Sequence, residues 1–415
     1  MRARPVPVRS ALAALALLAA ALPASAQQFE ALQQDARFRA PAPTALAMGD
    51  AVAAVPRPET AAFANPAHLT ASPALRLTVL GATAGAGGNA YETYRFYRDE
   101  LAPEIERGFD DLTPDDRQRL RELYAEALDV GARPKTVRAQ GQILAVQAQA
   151  GPVAVGTGIY GHSISRGQLV DMGAGSPFLD MYAQADLLVP VSVAMDIPNT
   201  PLAVGATATW GQRRITAKAD LVESLDGDGE KLYLLSGTGV SFAAGVVAQD
   251  VGLPGLDLGA AVTDLSSGVD LTFDRSWAIS GSDNAPDDQA EIARLEARFA
   301  ERENAPVLRM GAAYSLPLPA LSPVRDVTLA ADWISGSTSE FEQAPETGFR
   351  VGAQAEVLGF LELRGGLAQG YPTAGVGLNL KFLRLDYATY SVEDGRTLGQ
   401  LERRNHVVQV RLGVL

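Results

Sequence analysis

Phe360-Leu361-Glu362-Leu363-Arg364-Gly365-Gly366-Leu367-Ala368-Gln369 decides how the rest of the chain is read. In an extended chain Leu361, Leu363 and Leu367 share one face, and Glu362, Arg364, Gly366 and Ala368 share the other. A period of two means a strand with one apolar and one polar face. The pattern recurs downstream. Ala374, Val376, Leu378 and Leu380 alternate with Gly375, Gly377, Asn379 and Lys381; Leu383, Leu385 and Tyr387 alternate with Arg384 and Asp386; Val408, Val410, Leu412 and Val414 alternate with Gln409 and Arg411. A soluble all-β protein would bury the apolar faces, whereas an outer-membrane barrel turns them to lipid and keeps the polar faces in its lumen. The alternation itself is compatible with both.

The chain has 415 residues, enough for one large barrel or two soluble domains. Residues 1–26 read as a secretory signal peptide: Arg2, Arg4 and Arg9, then the apolar run Ala11 to Leu22, then Ala24-Ser25-Ala26, with cleavage expected after Ala26. Beyond it no apolar run reaches the roughly 18 residues of a spanning helix. There is no cysteine, hence no disulfide framework. The formal charge is −13, or −16 without the three leader arginines, and no basic patch interrupts it, which argues against nucleic acid as a partner.

Fourteen strands are expected, at about 74–86, 137–150, 152–164, 180–194, 201–219, 232–248, 255–265, 307–316, 326–335, 347–357, 360–369, 373–381, 382–391 and 404–414. Their connections sort by parity. Odd-numbered ones are mostly long (87–136, 166–179, 220–231, 266–306, 336–346, 392–403), and even-numbered ones are short. Outer-membrane barrels have this asymmetry, with long loops outside and tight turns in the periplasm. The expected fold is therefore an all-β transmembrane up-and-down antiparallel β-barrel of about 14 strands over residues 73–415, in the cell outer membrane. Helical loop insertions are expected near 92–131 and 284–305. Thr113-Pro114-Asp115-Asp116 starts the first, with an apolar stripe of Leu120, Leu123, Tyr124 and Leu128; Ile292, Leu295 and Phe299 mark the second.

Catalytic chemistry finds no constellation. His68, His162 and His406 have no metal-site spacing, and His162 and Ser163 point to opposite faces of a strand. No enzyme activity, metal or other cofactor is expected. The alternation instead sends Arg309, Asp332, Arg350, Glu356, Glu362, Arg364, Lys381, Arg384, Asp386 and Arg411 into the lumen, as a charge ladder or as the polar wall of a path.

Residues 27–72 are unlike the strands. They hold Ala45-Leu46-Ala47-Met48-Gly49-Asp50-Ala51-Val52 and, further on, Ala61-Ala62-Phe63-Ala64-Asn65-Pro66-Ala67-His68-Leu69, small and apolar residues punctuated by Gly and Pro. This opening resembles the Met-Gly-x-Ala segment and the aromatic–Asn-Pro-Ala segment of the FadL-like superfamily of outer-membrane proteins. The run Gly370-Tyr371-Pro372-Thr373-Ala374-Gly375 and the stretch Leu385-Asp386-Tyr387-Ala388 are similar to its PorV-type and TraF-like branches. Asp50 departs from the family, which has a small residue there. The resemblance implies a barrel of about 14 strands whose leader folds into the lumen as a hatch, containing Met48, Gly49, Asp50, Phe63, Asn65 and Pro66. It also implies passive passage of a hydrophobic, fatty-acid-like compound. The alternative is a non-transporting interaction protein whose long acidic loops serve a secretion or envelope-assembly partner. In either case outer-membrane lipid surrounds the barrel.

Overall fold

A computed structural model describes residues 42–101, 135–171, 177–218, 231–265, 271–278, 306–316, 323–335, 348–393, 398–400 and 402–414, with single positions elsewhere. The expected signal peptide lies outside the described residues. Fifteen strands follow one another: β1 (Leu75–Gly87), β2 (Lys135–Ala150), β3 (Val153–Asp171), β4 (Pro177–Asp196), β5 (Leu202–Lys218), β6 (Lys231–Ala248), β7 (Leu256–Leu265), β8 (Thr272–Ala278), β9 (Val307–Ser315), β10 (Val324–Ile334), β11 (Phe349–Val357), β12 (Leu361–Ala368), β13 (Tyr371–Leu380), β14 (Leu383–Glu393) and β15 (Glu402–Val414). Neighbours pair antiparallel, and β1 pairs with β15, with Gly81 opposite Arg411, so the sheet closes on itself. Closure removes the edges around the ring except at β8, which among the described residues pairs with β6 alone.

The ring has fourteen positions because β7 and β8 occupy one of them. β7 pairs with the Phe242–Ala248 half of β6, and β8 with Lys231–Ser236. β8 corrects the reading of 266–306 as a loop without strand. Its seven residues are too short and too mixed to show a period. They are held extended by the half of β6 that runs on past β7.

The apolar faces point outward. Val408, Val410, Leu412 and Val414 are 36–53 % exposed, while Gln409 and Arg411 between them are 4 and 3 % exposed. Val155, Val191, Val193, Leu363, Leu367 and Val376 are exposed on other strands. This is the inverse of a soluble sandwich and is what a lipid-facing wall requires. No helix among the described residues is long and apolar enough to cross a membrane.

Tight hairpins sit at both ends of β12, one on each rim. Leu358-Gly359 (φ 57° and 77°) and Gln369-Gly370 (φ 53° and 84°) each place two consecutive residues in the left-handed region, as two-residue hairpin turns demand. Lys381 (φ 58°) also lies in a turn, between β13 and β14, and is exposed. It is not on the inner wall. The alternation was carried one residue past Leu380, where β13 ends.

The wall is uneven in height. β2 to β6 are 16–20 residues long, whereas β9 to β13 are 8–11. A tilted strand crosses the hydrocarbon with about 9–11 residues. One side of the ring therefore continues well beyond the membrane on the long-loop side. In the first and fourth long connections, residues 118, 119, 122, 123, 125 and 126, and 289, 292, 293, 296 and 297, are helical, with Leu123 and Ile292 buried. Leu120, Tyr124, Leu128, Leu295 and Phe299 lie outside the described residues.

Candidate functional site inside the barrel

Residues 42–72 run through the interior as an irregular segment. It contains one short helix, α1 (Pro43–Leu46), and two 3-10 turns, Pro58–Thr60 and Pro66–Ala71. Small side chains let it pack tightly: Ala47, Met48, Ala51, Val52, Ala53 and Ala61 are fully buried. A buried irregular backbone must find hydrogen-bond partners outside itself. Thr373 Oγ1 donates to the Ala47 carbonyl at 2.9 Å, and Asn65 Nδ2 donates to Val246 O at 3.3 Å and to Ala53 O at 2.8 Å. Asn65 also caps the following 3-10 turn, its Oδ1 accepting from Ala67 N at 3.1 Å. The partners lie on opposite sides of the ring, so the segment spans it.

The wall makes room with glycine. A Cβ on Gly352 or Gly366 would collide with Met48, and one on Gly375 with the Ala47 methyl. Across the ring the same holds for Gly245 against Asn65, Gly205 against the Pro66–Ala67 peptide and Gly259 against the Ala53 carbonyl. Within the segment, Gly49 (φ 65°) and Asp50 (φ 63°) form a tight left-handed turn, closed by Ala51 N donating to Met48 O at 3.2 Å. Asp tolerates this conformation better than most residues.

Two polar groupings hold the segment, and a third lies on the wall. Asp332 Oδ2 on β10 accepts from Val52 N and Ala53 N, both at 2.7 Å, and faces Arg309 at 3.4 Å. Arg309 binds the Asp50 carboxylate at 2.6 Å and also donates to the Asp50 carbonyl. The departure of Asp50 from a small residue is thus matched by an arginine on β9. The second grouping joins Arg57 and Arg76 to Glu59 at 3.7 and 3.3 Å. The third, on β12, β14 and β15, surrounds Asp386 with Arg364, Arg384 and Arg411 at 3.1, 3.0 and 3.1 Å, while Glu362 pairs with Arg364 and Arg384. His68, in the last 3-10 turn of the segment, is buried, and burial pushes its imidazole down to about 4.

The inner face of the tall wall is different. Tyr160, Leu188, Ile215, Tyr233 and Leu235 from β3 to β6 form a buried apolar surface, completed by Val269, Leu271 and Ile292 from the fourth long connection. It also meets the segment. Phe63 packs against it in an edge-to-face pair with Tyr160, with centroids 5.2 Å apart and planes at 86°. A bidentate pair, Arg213 with Asp186 at 2.7 and 2.8 Å, is enclosed in the same wall.

No protein-family model matches the chain, and no curated protein sequence does. Solved structures do. The deltaS2S3 mutant of the monoaromatic hydrocarbon channel TodX superposes with a TM-score of 0.52 at 13 % identity, covering 89 % of this chain and 97 % of that one. The toluene transporter TbuX of Ralstonia pickettii superposes at 0.50 and 16 % identity, covering 92 and 99 %. The fold is that of these two hydrocarbon-channel barrels.

Within this barrel, Arg309, Asp332, Arg350, Glu356, Glu362, Arg364, Arg384, Asp386 and Arg411 occupy inward-facing strand positions; Lys381 does not. The charged residues fall into separate sets: Arg309 with Asp332, and the Asp386 group with Glu362. Arg350 stands opposite Asp332 in register, and Glu356, opposite Glu362, is half-exposed near the short-turn rim. Met48, Gly49, Asn65 and Pro66 are buried, and Asp50 and Phe63 are partly so. Sequence reading missed the six wall glycines and the apolar wall. The glycines were visible as inward members of the alternation, at Gly352, Gly366 and Gly375. The apolar wall was hidden because Tyr160, Leu188 and Ile215 stand on strands whose outward faces are also apolar.

Among the described residues no group of three or more His, Asp or Glu side chains is placed to hold a metal.

Proposed function

We propose that this protein is a non-enzymatic channel that passes a hydrophobic compound across the outer membrane, with residues 27–72 acting as its hatch. The observation that carries the reading is the apolar surface on the tall wall, which ends on Phe63. A ligand site is a concave apolar surface with a few polar groups at its edge. Here the apolar surface lies under the long loops, where a compound from outside would arrive. It runs inward to the segment that occupies the ring. The segment is held by hydrogen bonds and ion pairs rather than by continuous strand pairing, so it is the part that can shift while the barrel stays closed. The structures it resembles are named for monoaromatic hydrocarbons and toluene, and a fatty-acid-like compound shares their apolar character.

The test is uptake of radiolabelled toluene and radiolabelled fatty acid by cells with the protein, without it, and with Leu188→Gln. Leu188 is fully buried in the apolar wall. Uptake that rises with the protein and falls with the substitution supports the channel, and the compound taken up gives its class. Equal uptake of both compounds in all three strains removes the proposal.

A further inference from the structure

The short-turn side of the interior holds more cation than its carboxylates neutralise. Arg57 and Arg76 meet Glu59; Arg364, Arg384 and Arg411 meet Asp386; Glu362 is shared by Arg364 and Arg384. The two sets adjoin, because Arg57 is close enough to Arg364, Arg384 and Arg411 for the charges to repel. Five guanidiniums therefore face three carboxylates, an excess of two positive charges. Every side chain in the set is 15 % exposed or less. Glu356 stands opposite Glu362 in register and is half-exposed.

The donors are unbalanced as well. The Nε–H groups of Arg57, Arg364 and Arg411 are buried and have no acceptor. Uncompensated buried charge is costly, and an unmet buried donor adds to the cost. Guanidinium forks are the side chains that suit a planar or tetrahedral oxyanion, because each offers two parallel donors.

We propose that this cluster binds one phosphate-type oxyanion between Arg57 of the interior segment and Arg364 and Arg411 of the wall, and that the anion ties the segment to the barrel. A doubly charged oxyanion cancels the excess and takes up the three unmet donors. Inorganic phosphate reaches that double charge, while the phosphodiester of a lipid headgroup carries a single charge and cancels half of the excess; both offer oxygens to the same donors. The site does not depend on what passes through the barrel.

The experiment uses the purified full-length barrel in a phosphate-free detergent. Inorganic phosphate is titrated in one arm and a short-chain phosphatidylglycerol in the other, with heat of binding measured. Ala61→Cys, at a fully buried position in a chain with no cysteine, reports on the segment through its rate of maleimide labelling. One anion should bind per chain and slow the labelling. Arg57→Met should weaken binding by at least roughly tenfold, the scale of one charge-assisted hydrogen bond, and the exposed Arg325→Met should not. Binding of phosphate assigns a free ion, and binding of the lipid alone assigns a headgroup. If neither binds at millimolar concentration, or if Arg57→Met binds as tightly as the parent, the proposal falls. Should Arg57→Met fail to assemble, Arg411→Lys, which keeps the charge and removes the fork, is held to the same tenfold criterion.

Discussion

The carboxylate of Asp332, on a strand of the wall, accepts the backbone N–H of Val52 at 2.7 Å, across 280 positions of sequence. The same oxygen takes the N–H of Ala53. One side chain thus satisfies two backbone donors of an irregular segment that has no sheet of its own to satisfy them.

Asp332→Ala leaves both donors buried and unmet and takes one of the two carboxylate partners from Arg309. The barrel is expected to assemble and keep its heat-modifiable migration, because the strand pairs are untouched. The segment is expected to loosen by about 3–5 kcal/mol, the cost of breaking a buried charged contact on one side. Urea unfolding, together with labelling of a cysteine at Ala61, measures it. Unchanged labelling would show that Asp332 does not hold the segment.

The wall glycines make a sharper comparison. Gly259→Ala puts a methyl group into the Ala53 carbonyl, whereas Gly141→Ala meets nothing within 4 Å. The first should cost about 1–3 kcal/mol, as overpacking does, and raise small-solute leakage; the second should do neither. Thermal melts and liposome swelling of the two variants decide it. Equal behaviour would mean that the fit between wall and segment is loose.

Asn65→Ala combined with Pro66→Ala removes the side chain that reaches Ala53 O, Val246 O and Ala67 N, and the proline that starts the 3-10 turn. Loss of the cap alone is worth about 1 kcal/mol. Permeability to small solutes should change while the barrel still forms. A variant that keeps both its heat-modifiable migration and its low leakage would show that these residues seal nothing.

The Phe63–Tyr160 contact offers a test on transport. Phe63→Ala removes an edge-to-face pair worth about 0.5–1.5 kcal/mol beyond its buried area. If the segment gates passage at this point, uptake of a hydrophobic compound should rise or lose selectivity, with barrel stability nearly unchanged. Uptake identical to the parent would place the gate elsewhere.

His68 sets a pH dependence. Burial holds its imidazole at about 4 in the folded protein, with Arg57, Glu59 and Arg309 as the charged neighbours, against about 6.5 in an unfolded chain. The unfolded state therefore takes up the proton first. The stability contributed by neutral His68 is complete above about 6.5 and is lost as pH falls towards 4. Labelling of the segment should accelerate over that window, and His68→Gln should flatten the profile. A profile that is the same in both would assign the pH response to other groups.

What was legible in the sequence is what repeats locally. The alternation of Leu361 to Val414 marked strands one by one, and the outward exposure of Val408 to Val414 follows from the same pattern once it is placed against lipid. Fourteen ring positions were countable because each strand is long enough to show its period. β8 escaped because seven residues beside a longer neighbour need no period of their own.

The sequence by itself determined where the described strands other than β8 are, which side of each is apolar and, Lys381 apart, which polar residues belong to the other side. Only the tertiary structure decided that the apolar sides face outward, that Arg309 meets Asp50, that Gly352 and Gly259 flank the same segment, and that Arg57 joins the arginines of β12, β14 and β15. The physical reason is range. A period of two is fixed by the geometry of one strand, whereas a contact across an enclosed space depends on the register of every strand pair that closes the ring and on the path of the chain folded within it.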